Sequence, residues 1–104
     1  MNPEQTPVHF VLAAAARTPE HVVHRSFVNE TVLLNLESGR YFGLNRTGGR
    51  MLEELVRAET AQQAAERLAE DYDRPYAAIE DDLRVFCDDL ETRGLLVLRP
   101  SGDT

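Results

Sequence analysis

The residues best able to do chemistry are three histidines, one cysteine and two pairs of adjacent aspartates. A closed metal site needs about four ligands at workable spacing. His21 and His24 point to opposite sides of an extended segment, and no second group of ligands accompanies them or His9. We therefore predict that the protein binds no metal.

The cysteine and the aspartates share one predicted helix. Cys87 lies beside its apolar stripe, with no neighbour that would lower the pKa of the thiol. Asp81-Asp82 and Asp88-Asp89 cannot converge on a substrate, because adjacent helical residues point about 100° apart. The sequence has no P-loop, Rossmann or Gly-x-Ser-x-Gly motif. We predict a buried, inert thiol in a protein that is not an enzyme and uses no cofactor.

The length and composition of the chain bear on its number of domains and on the cellular compartment in which it folds. The 104 residues suffice for one domain with one core. A single cysteine excludes an internal disulfide and favours a reducing compartment. There is no run of about 18 apolar residues, which a membrane-spanning helix would need. We expect a cytoplasmic protein without a membrane segment.

Residues 1–18 are expected to be an N-terminal extension. The apolar run at residues 10–16 has no Lys or Arg before it, unlike the hydrophobic region of a signal peptide. A disordered tail, a short added strand or a mis-set start codon would each explain this segment. Residues 100–104 are expected to be a polar tail.

Residues 31–49 are predicted to form a hairpin that leads directly into a helix. The alternating apolar residues are Val32, Leu34 and Leu36 before the turn and Phe42 and Leu44 after it. A three-residue loop at 37–39 would place both sets on one face, with Leu34 opposite Phe42. Gly39 can supply the left-handed residue that such a loop requires. We expect a three-stranded antiparallel meander that begins at Val22–Val28 and ends with Arg40–Leu44 as an edge strand.

Capping residues predict three helices. Asn45 can cap a helix at residues 46–57, and Thr60 with Gln63 forms a capping box for the next helix. The third helix is expected at residues 75–93, with Gly94 in the left-handed position that ends it. Leu95–Leu98 is an apolar tail that can fold back on the body. The predicted core consists of Val32, Leu34, Leu36, Phe42, Leu44, Leu52, Leu55, Leu68, Leu83, Phe86 and Leu90.

The segment from Leu36 to Gly49, with an aromatic pair before Leu-Asn and a Thr-Gly after it, resembles the sequence pattern of PqqD-like proteins. Asp82-Leu83, Phe86, Leu90 and Gly94-Leu95-Leu96 resemble the end of that pattern, and the match covers about residues 19–98. These proteins are leader-peptide recognition domains for ribosomally made, modified peptides. The chain is most similar to the stand-alone members from lasso-peptide clusters.

The resemblance implies an α+β fold of the winged helix-turn-helix type, with the recognition domain at residues 19–99. It also implies a function without catalysis, in which a leader peptide is held for a separate leader peptidase and then a cyclase. In members similar to PqqD itself, the partner is a radical SAM enzyme. The alternative without a peptide ligand is an acidic adaptor or dimer module.

We expect the leader to add as a strand to Arg40–Leu44 and to lie over the third helix. Val85 lies off the core stripe, between Asp82 and Asp89, which gives an apolar patch with acidic edges suited to a leader with apolar anchors and Lys or Arg. The predicted peptide-binding residues are Arg40, Tyr41, Phe42, Gly43, Leu44, Asp82, Val85, Phe86 and Asp89.

Charge argues against DNA binding by this helix-turn-helix. The chain has no lysine, and residues 59–104 hold five Arg against twelve Asp or Glu. The third helix, which would read DNA, holds six of these acids and two arginines. A reading helix needs cations facing phosphate. We predict no nucleic-acid partner.

Overall fold

The computed structural model describes residues 14–100, in which five strands and three helices follow one another in the predicted α+β order. The elements are β1 (Ala14–Arg17), β2 (Val22–Ser26), β3 (Glu30–Asn35), β4 (Tyr41–Asn45), α1 (Arg46–Arg57), α2 (Ala61–Tyr72), α3 (Tyr76–Thr92) and β5 (Val97–Pro100). β2, β3 and β4 form an antiparallel sheet in that order, so β4 is an edge strand as expected. The predicted sheet followed by three helices is therefore confirmed and agrees with a winged helix-turn-helix.

A second, two-stranded sheet joins the two ends of the described chain. β1 pairs antiparallel with β5, and Ala14 and Ala16 are buried in the core. β1 belongs to the segment assigned to the N-terminal extension, and β5 includes part of the apolar tail that was expected to fold back. The expectations for residues 1–13 and 101–104 lie outside the described residues.

The predicted hairpin register is wrong by one residue. Phe42 pairs with Leu33, not with Leu34, and the backbone N–H of Asn35 donates to Arg40 O at 2.8 Å. The loop therefore has four residues, 36–39, although Gly39 is left-handed as predicted, with φ at 77°. Leu36 lies in this loop with 59% of its surface exposed, so its assignment to the core is wrong.

The shift of register exchanges the two faces of β3. Thr31 and Leu33 are buried, whereas Val32 and Leu34 lie half-buried on the opposite face, so these two were also wrongly assigned to the core. A side chain on Gly49 would overlap Thr31 Oγ1, which shows how closely α1 crosses this strand. Only a small residue on α1 allows that approach. Thr31 is therefore buried beneath α1, although the predicted alternation had placed it on the face opposite the core.

The helices begin at the predicted caps. Asn45 Oδ1 accepts from Gly48 N at 2.8 Å, and Thr60 Oγ1 accepts from Gln63 N at 3.1 Å. Gln63 reaches back to the backbone N–H of Glu59 at 2.9 Å, one residue before the cap. The remaining predicted core residues do pack together: Leu44, Leu52, Leu55, Leu68, Leu83 and Leu90 are buried, and Phe42 and Phe86 are half-buried against them.

A buried carboxylate fixes α1 against α2. Glu54 is 3% exposed, and its carboxylate accepts a hydrogen bond from Arg50, which also pairs with Asp71 on α2. The bonds to Glu54 and then Asp71 raise the pKa of Arg50 above its ordinary value. This arginine therefore stays charged and holds the two helices in register.

Candidate functional site

The free edge of β4 presents backbone groups to solvent at alternate residues. Asn35 and Arg40 are hydrogen-bonded across the hairpin, so the ladder alternation directs the backbone groups of Phe42 and Leu44 toward β3. The N–H and C=O groups of Tyr41 and Gly43 therefore point away from the sheet. An added strand could bond to these two residues without disturbing the existing ladder.

The strand side of the site is a hollow of about 260 Å³. Its lining includes Arg40, Tyr41 and Phe42 from the predicted set, together with Arg93 and Leu95. Tyr41 is 77% exposed, whereas Phe42 is half-buried and faces the core. Gly43 and Leu44 do not line this hollow: Gly43 contributes its edge backbone, and Leu44 is buried.

The helix side of the site is a second, more open hollow of about 620 Å³. It brings together all four predicted helical residues, Asp82, Val85, Phe86 and Asp89, and adds Met51, Asp88 and Thr92. Val85 is 63% exposed, and the half-buried Phe86 lies beside it. The structure therefore forms the expected apolar patch with acidic edges.

Arg93 connects the two hollows. Its guanidinium lies 4.4 Å from the centre of the Phe42 ring, and its Nε donates to Asp89 at 3.1 Å. Asp89 lines the helix-side hollow, and Phe42 lines the strand-side hollow. A stacked arginine held by a carboxylate thus bridges α3 and β4 at one end of a shared groove.

Both predicted acidic residues already have partners. Asp82 accepts from Arg74 at 3.1 Å, and Asp89 holds Arg93, with all four side chains about half exposed. Among residues 14–100, Asp88 forms no ion pair, so it is the aspartate of this hollow that could meet a basic peptide residue directly.

Met51 and Arg93 were not predicted from the sequence as parts of the groove. Met51 belongs to the apolar stripe of α1, and nothing in its spacing distinguishes it from a core residue. Arg93 immediately follows α3, where a basic residue is expected simply to favour the helix dipole. Its contact with Phe42 depends on tertiary packing that spacing cannot show.

The thiol of Cys87 is buried and forms no disulfide within residues 14–100. Burial, with smaller effects from Glu91 and Asp88, raises the pKa of the Cys87 thiol to about 12. No group of three potential metal ligands is clustered within residues 14–100. No helix in this part of the chain is long and apolar enough to cross a membrane.

The family of this chain follows from its match to a family sequence model. Residues 30–96, well over half of the chain, match the model of the family described as coenzyme PQQ synthesis protein D (PqqD). The chain belongs to the PqqD family. The matched range begins at β3 and ends before β5, so it includes β4, α3 and the groove between them.

Two solved structures share this PqqD fold. TbiB1 in complex with the TbiA(beta) leader peptide is 30% identical, with a TM-score of 0.71, and the match covers 77% of this chain and 93% of that one. A lasso peptide synthetase B1 complexed with the leader peptide is 23% identical, with a TM-score of 0.73 over 81% of this chain and 99% of the other. Among curated proteins, no sequence matches significantly.

Proposed function

We propose that this PqqD-family protein binds the leader region of a ribosomally made precursor peptide and presents it to a lasso-type leader peptidase, with a cyclase acting afterwards. The observation that carries the proposal is TbiB1, a relative that is 30% identical and was solved with a leader peptide. The recognition domain would be residues 19–99, acting in the cytoplasm, where precursor peptides are made.

The leader would bind by adding a strand to β4. Tyr41 and Gly43 offer two N–H and two C=O groups on an edge that no other strand of residues 14–100 covers. Hydrogen bonds to backbone tolerate many sequences, so specificity must come from side chains that enter pockets. Alternate leader side chains would point inward to the groove, where Val85, Phe86 and Met51 provide apolar contact.

The acidic edge of the groove favours a leader with a basic residue near its apolar anchors. Asp82 and Asp89 are neutralised in part by their own arginines, whereas Asp88 has no such partner in the described chain. An incoming Lys or Arg would therefore meet Asp88, or would displace Arg74 or Arg93. Exposed charges of this kind act mainly on association rate and discrimination.

A second candidate function follows from the family description. The match to coenzyme PQQ synthesis protein D favours a peptide chaperone for a radical SAM enzyme. The groove would be the same, and only the enzyme that receives the peptide would differ. Each class of enzyme can be assayed on its own precursor peptide, with and without this protein. Only the true partner enzyme should process its precursor faster when the protein is added, so the assay separates the two functions.

Val85→Asp tests the groove. A charge in the apolar patch should weaken leader binding at least tenfold, about 1.4 kcal/mol, because the carboxylate must be desolvated on binding. Fluorescence anisotropy with a labelled leader measures the change. Val28→Asp is the matched control, since Val28 is 87% exposed in the turn after β2 and away from the groove. Equal binding by Val85→Asp and the parent would place the groove elsewhere.

The protein alone should leave its precursor peptide unchanged. We propose a role without catalysis because the Cys87 thiol is buried with a raised pKa, and because no three potential metal ligands cluster among residues 14–100. Mass spectrometry of the precursor after incubation with the isolated protein should show the starting mass only. Cleavage or modification under these conditions would contradict the proposal.

A further inference from the structure

The strand-side hollow differs in charge from the rest of the groove. Arg40 and Arg93 line it, and no Asp or Glu of residues 14–100 does, whereas three aspartates line the helix-side hollow. The whole chain has a net charge of −7, so this cationic hollow runs against the overall charge of the protein. Two cations that face one hollow suit an anionic ligand.

The hairpin loop leaves hydrogen-bond donors on the other polar side chains of this hollow. The carboxamide oxygen of Asn35 accepts from the backbone N–H of Glu37 at 2.9 Å and from that of Ser38 at 3.1 Å, so its NH₂ group remains to donate. Ser38 Oγ accepts from the backbone N–H of Arg40 at 3.2 Å, which leaves its hydroxyl hydrogen to donate. A carboxylate is the matching ligand, because it only accepts hydrogen bonds.

The two arginines lie on either side of one aromatic ring. Strand alternation places Arg40 on the same face as Phe42, and the guanidinium of Arg93 stacks on the Phe42 ring. An aromatic side chain from a peptide would have to displace Arg93 from this ring. A carboxylate would leave the stack in place, since it needs only the free nitrogens of the guanidinium.

Both guanidinium groups retain capacity for such a ligand. No ion pair among residues 14–100 involves Arg40. Arg93 donates to Asp89 through Nε, so its two terminal nitrogens remain for a second acceptor. Arg40 is therefore the main cation of the hollow, and Arg93 can hold Asp89 and a ligand together.

The end of α3 opposes an anion less than a free helix end would. The last carbonyl groups of a helix carry its partial negative charge. Here Gly94 N donates to Glu91 O at 3.0 Å, and Leu95 N donates to Leu90 O at 2.9 Å. These bonds satisfy carbonyl groups that would otherwise face the hollow or solvent.

We propose that the strand-side hollow binds an Asp or Glu side chain of the leader and that Arg40 and Arg93 select it, an inference that rests on the function proposed above. A leader that adds antiparallel to β4, as the neighbouring strands of this sheet do, passes Gly43 before Tyr41. The hollow lies at the Tyr41 end of β4. The acidic residue therefore follows the apolar anchors in the leader sequence, and the order of charges fixes the direction of the peptide.

A double-mutant cycle tests this pairing of charges. The ligand is a labelled leader with an amidated C terminus, so that its carboxylates are side chains only. Each Asp or Glu after the apolar anchors is replaced in turn by Asn or Gln, and fluorescence anisotropy measures the affinity of every peptide. The protein variants are Arg40→Gln, Arg93→Gln and, as the control with the same loss of charge, Arg67→Gln. Arg67 is exposed on α2 and lines neither hollow.

The cycle should show coupling to one acidic position of the leader. Arg40→Gln should weaken binding of the unmodified leader at least about threefold, because a charge-assisted hydrogen bond is lost. The same variant should lose less than about 1.5-fold against the one peptide whose acid is already neutralised. Arg93→Gln should couple to the same position, while Arg67→Gln should bind each peptide within about 1.5-fold of the parent. Arg40 is exposed, so Arg40→Gln should unfold at the same denaturant concentration as the parent.

The outcomes separate this inference from the function on which it rests. If the parent binds no leader, the proposed function fails. If the leader binds but Arg40→Gln loses the same factor against every peptide, or loses nothing, the carboxylate site is overturned. A leader that binds tightly without any Asp or Glu after its apolar anchors would overturn it as well.

Discussion

At the scale of single residues, Cys87 shows how burial sets chemistry. The side chain is fully buried on α3, and desolvation, followed by Glu91 and Asp88, raises its pKa from 9.0 to about 12. The thiolate is the nucleophile in cysteine chemistry, and it is scarcely present near neutral pH. The native protein should therefore react with iodoacetamide far more slowly than the protein unfolded in guanidinium, as mass spectrometry can follow.

The same pKa predicts how stability depends on pH. The folded pKa lies above the unfolded one, so the contribution of Cys87 is fully present below about pH 9 and is lost as pH rises toward 12. Cys87→Ala should remove this alkaline loss in denaturant melts, although its cavity lowers stability at every pH. An identical alkaline slope in the parent and in Cys87→Ala would show that the thiol is not responsible.

At the scale of elements, the contact between α1 and β3 depends on Gly49. A methyl group at this position would overlap Thr31, so Gly49→Ala should destabilise the fold by about 1–3 kcal/mol despite the better helix propensity of alanine. Thr31→Ala should recover part of this loss when the two changes are combined. Gly43→Ala is the control, since its added methyl meets nothing within 4 Å, and it should melt at nearly the same denaturant concentration as the parent.

Strand addition predicts an alternating pattern of amide protection on β4. The N–H groups of Tyr41 and Gly43 point to the free edge, whereas those of Phe42 and Leu44 are directed toward β3. Leader binding should therefore slow hydrogen exchange most at Tyr41 and Gly43, as NMR can resolve. New protection confined to the opposite edge strand, β2, would show that the peptide adds to β2 and would contradict strand addition at β4.

The elements were easier to predict than the register that aligns them. Caps such as Asn45 and Thr60 act within one turn of the chain, so their effect is visible in the sequence. The hairpin register depends on which face of β3 meets α1, and Val32-Leu33-Leu34 supplies apolar residues to both faces. The face of β3 that is buried carries Thr31, which lies close to Gly49 of α1, and that contact joins residues 18 positions apart.

At the scale of the whole molecule, two surfaces remain available on opposite sides of one sheet. The groove between β4 and α3 lies on the helix side of the sheet, and the opposite side exposes Arg25 among apolar residues such as Val23 and Phe27. The groove could be predicted from a family pattern and one unexplained valine, Val85. The open apolar side of the sheet could not be predicted, because the wrong hairpin register had placed Val32 and Leu34 in the core.

The central claim is that the leader binds through the free backbone edge of β4, and Gly43→Pro tests it most directly. Proline removes the N–H that points away from the sheet, and an edge strand tolerates it at such a position. Gly43 has no positive φ that proline would have to abandon, and its neighbours keep their bonds to β3. Gly43→Ala retains the N–H and is the matched control.

The measurement is the affinity of a labelled leader for these two variants and the parent, with the unfolding free energy of each determined in parallel. Gly43→Pro should lose at least tenfold in leader affinity, about 1.4 kcal/mol, while Gly43→Ala binds within about twofold of the parent. A folded Gly43→Pro protein that binds the leader as tightly as Gly43→Ala would contradict strand addition at β4.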